Sequence, residues 1–209
     1  LLEVVEKESK EISELLKTAD DGRMIQEGIK TVILGKPNAG KSSLLNYLVG
    51  EDRAIVTEIA GTTRDILEEY ISLNGITLRV IDTAGIRDTE DVVEKIGVGK
   101  ARQMAEDADL ILYVVDSSMP LDENDQEIIE LLKGRKSITI YNKTDLTPVV
   151  DIEFLKEKTA SPVIPISAVE ETGIGQLEDE IRRMFFQGEL SFNDEVYITN
   201  ARHKAALEE

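Results

Sequence analysis

The 209-residue sequence contains no cysteine and no tryptophan, one histidine, and only four phenylalanines and five tyrosines. Without thiols there is no disulfide framework and no thiolate zinc site. A chain of this length can bury roughly 70% of the surface its unfolded form exposes, so a core needs neither. Basic residues are the other shortage, since 24 Lys and Arg stand against 42 Asp and Glu, a net charge of −18. Such acidity repels phosphate backbones, and so few aromatics leave little for a base-stacking platform. No strong direct nucleic-acid binding by this chain is therefore expected. Long apolar runs are missing too: the longest, 110–115, falls far short of the ~20 residues of a membrane span. No basic, apolar leader opens the chain, so a cytoplasmic protein without membrane association is expected. Both ends fall inside helical patterns, which points to a piece of a longer polypeptide.

What is present is an alternation of elements. Residues 1–19 carry apolar positions at near-helical spacing (Leu1, Val4, Val5, Ile12, Leu15, Leu16), an amphipathic helix whose apolar face needs a partner. The run 31–34 is too short for a helix and meets Gly35 and Pro37, hence a buried strand, and 42–49 is then helical. Segments 67–73 and 76–81 flank Asn74-Gly75, which predicts an antiparallel hairpin. Helices at 92–108, 123–132, 152–158 and 174–186 then alternate with strands at 110–115, 137–141 and 163–166. Strands separated by helices imply parallel pairing with right-handed crossovers and a sheet covered on both faces. The segment 200–209 again reads as helical and would pack against 1–19, with the α/β unit inserted between them.

Four strand tips carry chemistry. The first strand runs into Gly35-Lys36-Pro37-Asn38-Ala39-Gly40-Lys41-Ser42 and then a helix, the G-x-x-x-x-G-K-S pattern in its required context. Glycines let backbone amides curl around phosphate oxygens, and the helix N-terminus adds its dipole. Lys41 reaches the β and γ phosphates, and the Ser42 hydroxyl ligates Mg²⁺. The plain alternative is a glycine-rich turn that caps a helix. The strand 76–81 leads into Asp82-Thr83-Ala84-Gly85, where the acid can hold Mg²⁺ through water and Gly85 can turn its amide to a γ-phosphate. Asn142-Lys143-Thr144-Asp145 closes the strand 137–141. Its Asp145 carboxylate can accept from both N1–H and N2–H of guanine, an edge adenine lacks. Asn142 can tie the loop together and meet N7, and the Lys143 stem can cover the base. Ser167-Ala168, at the next strand end, would offer a backbone amide to the guanine O6.

These motifs, taken in order, resemble those of translation-factor-class P-loop GTPases: GKPNAGKS, GTTRD, DTAG, NKTD and SA. More narrowly the chain is similar to the G domain of the MnmE (TrmE) family of tRNA-modification GTPases. That likeness rests on Gln26-Glu27-Gly28 before the first strand, GKPNAGKSSLLN, IAGTTRD, DTAGIR followed by VEKIG, and the tail ITNARHKAALEE. The resemblance implies an α/β, Ras-like, three-layer doubly wound mixed sheet with one antiparallel hairpin. It implies a GTPase domain at 29–190, with 1–28 and 191–209 belonging to a helical domain that surrounds it. It further implies binding of GTP and GDP with Mg²⁺ and K⁺, through Asn38, Ala39, Gly40, Lys41, Ser42, Ser43, Gly85, Asn142, Lys143, Asp145, Ser167 and Ala168.

The position after Asp-x-x-Gly, where many small GTPases keep a water-orienting glutamine, is Ile86, which cannot bond to water. Arg64, Arg87, Glu90, Asp91 and Glu94 are polar alternatives, and the resemblance singles out Glu94. By the same resemblance Lys41 and Thr63 join Glu94 in catalysis, and Ser42, Thr63 and Asp82 serve Mg²⁺. K⁺ falls to Asn38, to the segment 57–60 before Gly61 with Thr57 and Ile59, and to Thr62. Transient pairing of two G domains would stimulate hydrolysis, and MnmG and tRNA would act through regions outside this chain. The family's motif with a cysteine has no counterpart here. A ribosome-assembly GTPase of the Era or EngA type shares the central motifs, and a GTP-dependent interaction module that scarcely hydrolyses is an alternative of another class. His203, and Arg182 with Arg183, read as packing or solvated positions.

Overall fold

The computed structural model describes residues 24, 27–53, 68–81 and 98–186. The expected helices at 1–19 and 200–209, the segment 57–63, Asp82, Gly85, Glu94 and His203 lie outside the described residues. Six strands form one sheet: β1 (Ile29–Leu34), β2 (Glu68–Leu73), β3 (Ile76–Ile81), β4 (Leu110–Asp116), β5 (Ser137–Asn142) and β6 (Val163–Pro165). Their spatial order is β2-β3-β1-β4-β5-β6. Among these six strands β2 and β3 pair antiparallel, and β1–β3, β1–β4, β4–β5 and β5–β6 are parallel. The turn between β2 and β3 has φ 47° at Asn74 and 85° at Gly75, as the two-residue hairpin turn that matches strand twist requires.

Among the described residues five helices cover the sheet: α1 (Lys41–Arg53), α2 (Val98–Asp107), α3 (Glu123–Leu132), α4 (Ile152–Thr159) and α5 (Ile174–Phe185). Alternate residues of β4 point to opposite faces. Leu110, Leu112 and Val114 join Leu44, Leu45 and Leu48 of α1 and Leu177 and Ile181 of α5 in one core. Ile111, Tyr113 and Val115 join Ala105 of α2, Ile128 and Leu132 of α3 and Leu155 of α4 in the other. Burial on both faces explains why β4 reads as an unbroken apolar run rather than an alternation. This is the three-layer mixed sheet with one hairpin that the sequence predicts.

Element ends differ slightly from expectation. β1 begins at Ile29, two residues early, because Ile29 and Lys30 continue the ladder against Leu78 and Arg79 of β3. β4 and β5 each run one residue further, since Asp116 pairs with Asn142. α1 extends to Arg53, but Gly50 (φ −20°, ψ 152°) breaks its helical geometry where the sequence pattern ends. α3 opens on a reciprocal capping box: Asp122 accepts from the amides of Asn124 and Asp125, and Asp125 accepts from the amide of Asp122.

Connections from β1 and from β4 leave toward opposite edges of the sheet, so the crevice between their carboxyl ends is the topological switch point where doubly wound sheets bind ligands. The loops after β1, β4, β5 and β6 all emerge on that edge.

Candidate functional site

The loop 35–40 leaves β1 and runs into α1 without a break. Its first and last glycines are constrained by what lies beside them. A Cβ on Gly35 would stand 2.5 Å from the Val114 carbonyl oxygen, and one on Gly40, whose φ is 98°, would stand 2.1 Å from Nδ2 of Asn142. Neither position has room for a side chain, and the second also needs a backbone conformation that side chains resist. Asn38 sits exposed at the loop's outer turn with φ 61°. Ala39 is buried behind it and its amide returns to the Lys36 carbonyl at 3.2 Å.

Lys41 is the first residue of α1, and its ammonium folds back over the loop. It donates to the carbonyls of Gly35 (2.8 Å) and Lys36 (2.7 Å). Burial disfavours its charge and lowers its pKa to about 8. A cation partly stripped of water, held against two neutral carbonyls at a helix N-terminus, is a site suited to a polyanion. Ser42 is half-buried and Ser43 exposed on the first turn of α1.

The other end of the crevice is assembled from the ends of β5 and β6. Asn142, the last residue of β5, is 2% exposed, and its Nδ2 donates across 2.9 Å to the Ala39 carbonyl. Its Oδ1 is buried with no hydrogen-bond partner among the described residues. Lys143 takes φ 62°, which turns the chain sharply, and its ammonium lies 2.5 Å from Oδ2 of Asp116. Burial opposes the charge on Asp116, but hydrogen bonds from Lys143 and Ser118 outweigh it and hold the carboxyl below its ordinary pKa. Asp145 is exposed, with one oxygen fixed at 2.6 Å by the Ser167 hydroxyl. Ser167 itself is fully buried, its amide bonded to the Thr172 carbonyl at 3.3 Å, and Ala168 follows half-buried.

Asn38, Ala39, Gly40, Lys41, Ser42, Ser43, Asn142, Lys143, Asp145, Ser167 and Ala168 thus share one edge of the sheet, on loops linked by the Asn142–Ala39 bond. Thr57, Ile59, Thr62, Thr63, Asp82, Gly85 and Glu94 lie outside the described residues, so the structure neither joins nor separates them from this edge. Sequence reasoning did not find two further features. One is Asp116 as the partner of Lys143; the signal for it was the Asp-Ser-Ser run at the tip of β4. The other is a cluster of Lys36 with Tyr113, Asp122 and Asp125, for which spacing along the chain gives no signal.

The strand, glycine loop and helix, with an Asn-Lys-x-Asp loop beside them at the switch point, define the class as a P-loop nucleotide-binding domain of GTPase type. The chain belongs to the 50S ribosome-binding GTPase family, whose pattern matches residues 30–143. It is 60% identical over 200 residues to the tRNA modification GTPase MnmE of Lachnoclostridium phytofermentans, covering 96% of this chain and 44% of that protein. The chain thus spans about half the length of the curated relatives it matches. Among solved structures it resembles a single-residue variant of Aquifex aeolicus Era bound to GDP·AlF4⁻, with TM-score 0.56 and 29% identity over 86% of this chain and 64% of that one. It also resembles the G domain of the T. maritima FeoB iron transporter, with TM-score 0.53 and 29% identity over 74% of this chain and 97% of that one. Among the described residues no helix is long and apolar enough to cross a membrane.

Proposed function

We propose that this chain is the GTP-binding and GTP-hydrolysing domain, 29–190, of a tRNA wobble-uridine modification GTPase, with 1–28 and 191–209 belonging to a helical domain around it. The observation that carries the reading is the Asn142–Ala39 bond at 2.9 Å. It sets a phosphate-binding loop and a guanine-reading loop side by side at one crevice. The buried, unpartnered Oδ1 of Asn142 and the desolvated Lys41 ammonium both suit a bound nucleoside polyphosphate. The name carried by its 60%-identical relative supports the tRNA-modifying role, with MnmG and tRNA engaged outside this chain.

In this reading the amides of 38–43 and Lys41 hold the β and γ phosphates, and Asp145, fixed by Ser167, reads N1–H and N2–H of guanine. Asn142 meets the N7 edge, Lys143 covers the base, and the amide of Ala168 meets O6. Glu94 orients a water whose oxygen bonds to the γ-phosphorus as the bond to the β,γ-bridging oxygen breaks, leaving GDP and phosphate. Ser42, with Thr63 and Asp82, would hold Mg²⁺, and Asn38, with Thr57, Ile59 and Thr62, would hold K⁺. Gly85 would give its amide to the γ-phosphate. Such cations offset the charge that builds on the phosphate oxygens. Two G domains meeting across these loops would complete the site. The net charge of −18 opposes that meeting at long range and makes it transient.

The test is phosphate release and sedimentation in KCl and in NaCl, with GDP and aluminium fluoride for the second. Faster release and a dimer only in KCl are expected, and both should be lost in Asn38→Ala. Glu94→Ala should lower kcat severely with nucleotide affinity near that of the wild type. Equal rates and equal association in the two salts would remove K⁺ and the dimer from the mechanism. Full turnover by Glu94→Ala would remove Glu94.

A further inference from the structure

The side chain of Lys36, the second residue of the phosphate loop, points away from the crevice that Lys41 faces. Its ammonium meets three acceptors on the first turn of α3 and the connection before it: Oδ2 of Asp125 at 2.6 Å, Oδ2 of Asp122 at 3.0 Å and the Pro120 carbonyl at 3.3 Å. An ammonium has three hydrogens, so this one is fully satisfied on the protein. Burial works against its charge, but the Asp125 and Asp122 carboxylates outweigh that and raise its pKa above the ordinary lysine value.

Asp125 is the centre of the cluster. It is 1% exposed. One of its oxygens accepts from the Tyr113 hydroxyl at 2.8 Å, and the other accepts from the Asp122 amide at 2.9 Å as well as from Lys36. Tyr113 is itself fully buried on β4, directly beside Leu34, the last residue of β1. Asp125, which anchors Lys36, is thus itself held from two sides, by a core tyrosine and by the capped start of α3.

The main chain of the same residue faces the other way. The Lys36 carbonyl accepts from Lys41 Nζ at 2.7 Å and from the Ala39 amide at 3.2 Å. The peptide that seats Lys41 is thus on the residue that the Asp125 cluster holds. The clamp does not extend to the base end, where the β4–α3 connection has its own ties. Ser117 donates its amide to the Asn142 carbonyl at 3.0 Å and its hydroxyl to the Lys143 carbonyl at 3.2 Å.

We infer that Lys36, clamped by Asp125 and Asp122, is a positioning residue that sets the phosphate loop, and through its carbonyl Lys41, against the rest of the nucleotide site. The inference rests on the guanine-nucleotide reading above. Without the clamp the loop keeps its sequence but loses its fixed placement across the switch point, where small misplacements of binding groups are costly. The effect belongs to the phosphate end, because the carboxylate of Asp145 is held by Ser167 at 2.6 Å, outside the clamp.

The experiment measures dissociation of fluorescent GDP from the wild type and from Lys36→Ala, Lys36→Arg and Asp125→Asn, together with the affinity ratio of GDP to inosine diphosphate. Inosine lacks the 2-amino group, so that ratio reports the base end. Lys36→Ala and Asp125→Asn should release GDP at least about tenfold faster, with Lys36→Arg restored to within about threefold. All should keep the wild-type GDP to inosine diphosphate ratio within about twofold. Lys36→Ala removes no core atom, so it tests the clamp even if Asp125→Asn weakens α3. Wild-type release from Lys36→Ala, no rescue by arginine, or a base ratio that collapses with affinity would each overturn the inference. A wild-type protein that binds no GDP would instead overturn the functional reading beneath it.

Discussion

Nδ2 of Asn142 donates to the Ala39 carbonyl across 2.9 Å, which ties the end of β5 to the loop after β1. The bond is buried, and truncation to alanine leaves the Ala39 carbonyl without that partner, a loss of about 1–3 kcal/mol. Asn142→Ala should lower the free energy of unfolding by that amount, read as a lower urea midpoint with an unchanged slope, and should weaken GDP binding further. Unchanged stability and affinity would show that the two loops are placed independently.

Gly40 lies against the same amide. With φ at 98° and only 2.1 Å between an added Cβ and Asn142 Nδ2, Gly40→Ala must push the loop and Asn142 apart. GDP affinity should fall at least about tenfold, while the far-UV circular dichroism of the sheet and helices stays as in the wild type. Isothermal titration checks it, and wild-type affinity would mean the crevice opens freely at this point.

Proton linkage at Lys41 has a definite direction. Burial lowers its pKa to about 8, so below pH 8 the unliganded fold carries the full cost of a desolvated ammonium. Stability of the free protein should therefore rise between about pH 8 and the ordinary lysine value of 10.5. A bound phosphate favours the charged form, so nucleotide binding takes up a proton in that window. GDP affinity should fall above pH 8 by no more than tenfold per pH unit. Guanine also loses N1–H in alkali, so Lys41→Arg, which keeps its charge, is the control and should show a shallower decline. Equal slopes would place the titration on the base.

Asp145 owes its placement to one hydroxyl, that of the buried Ser167 at 2.6 Å. Ser167→Ala should weaken GDP binding several-fold and narrow the preference for GDP over inosine diphosphate. Asp145→Asn presents an amide that repels the guanine edge and can pair with the carbonyl of xanthine, so it should favour xanthosine diphosphate. A displacement assay that found the wild-type base preference in both variants would take base reading away from this loop.

Much of the fold was legible because each element left a strong local mark. The buried strand β4 is an apolar run, and Asn74-Gly75 writes its own turn. The loop 35–40 and the 142–145 segment were readable for the same reason: their chemistry needs fixed residue types at fixed spacing. Lys36 was not, because Asp122 and Asp125 lie more than eighty positions away and a lysine beside a phosphate loop reads as solvated. Only the closeness of β1 and β4 in the folded sheet brings them together. The pair Asp116 and Lys143 was hidden likewise by a parallel crossover, and the start of β1 by its pairing with β3.

The measurement that tests the account most directly is single-turnover phosphate release from GTP and from ATP by this chain, in KCl with Mg²⁺. The crevice as built predicts phosphate from GTP alone, with ATP neither hydrolysed nor able to displace fluorescent GDP. Equal release from ATP, or equal displacement by it, would contradict the assignment of Asn142, Lys143 and Asp145 as the guanine-reading loop and the GTPase reading with it.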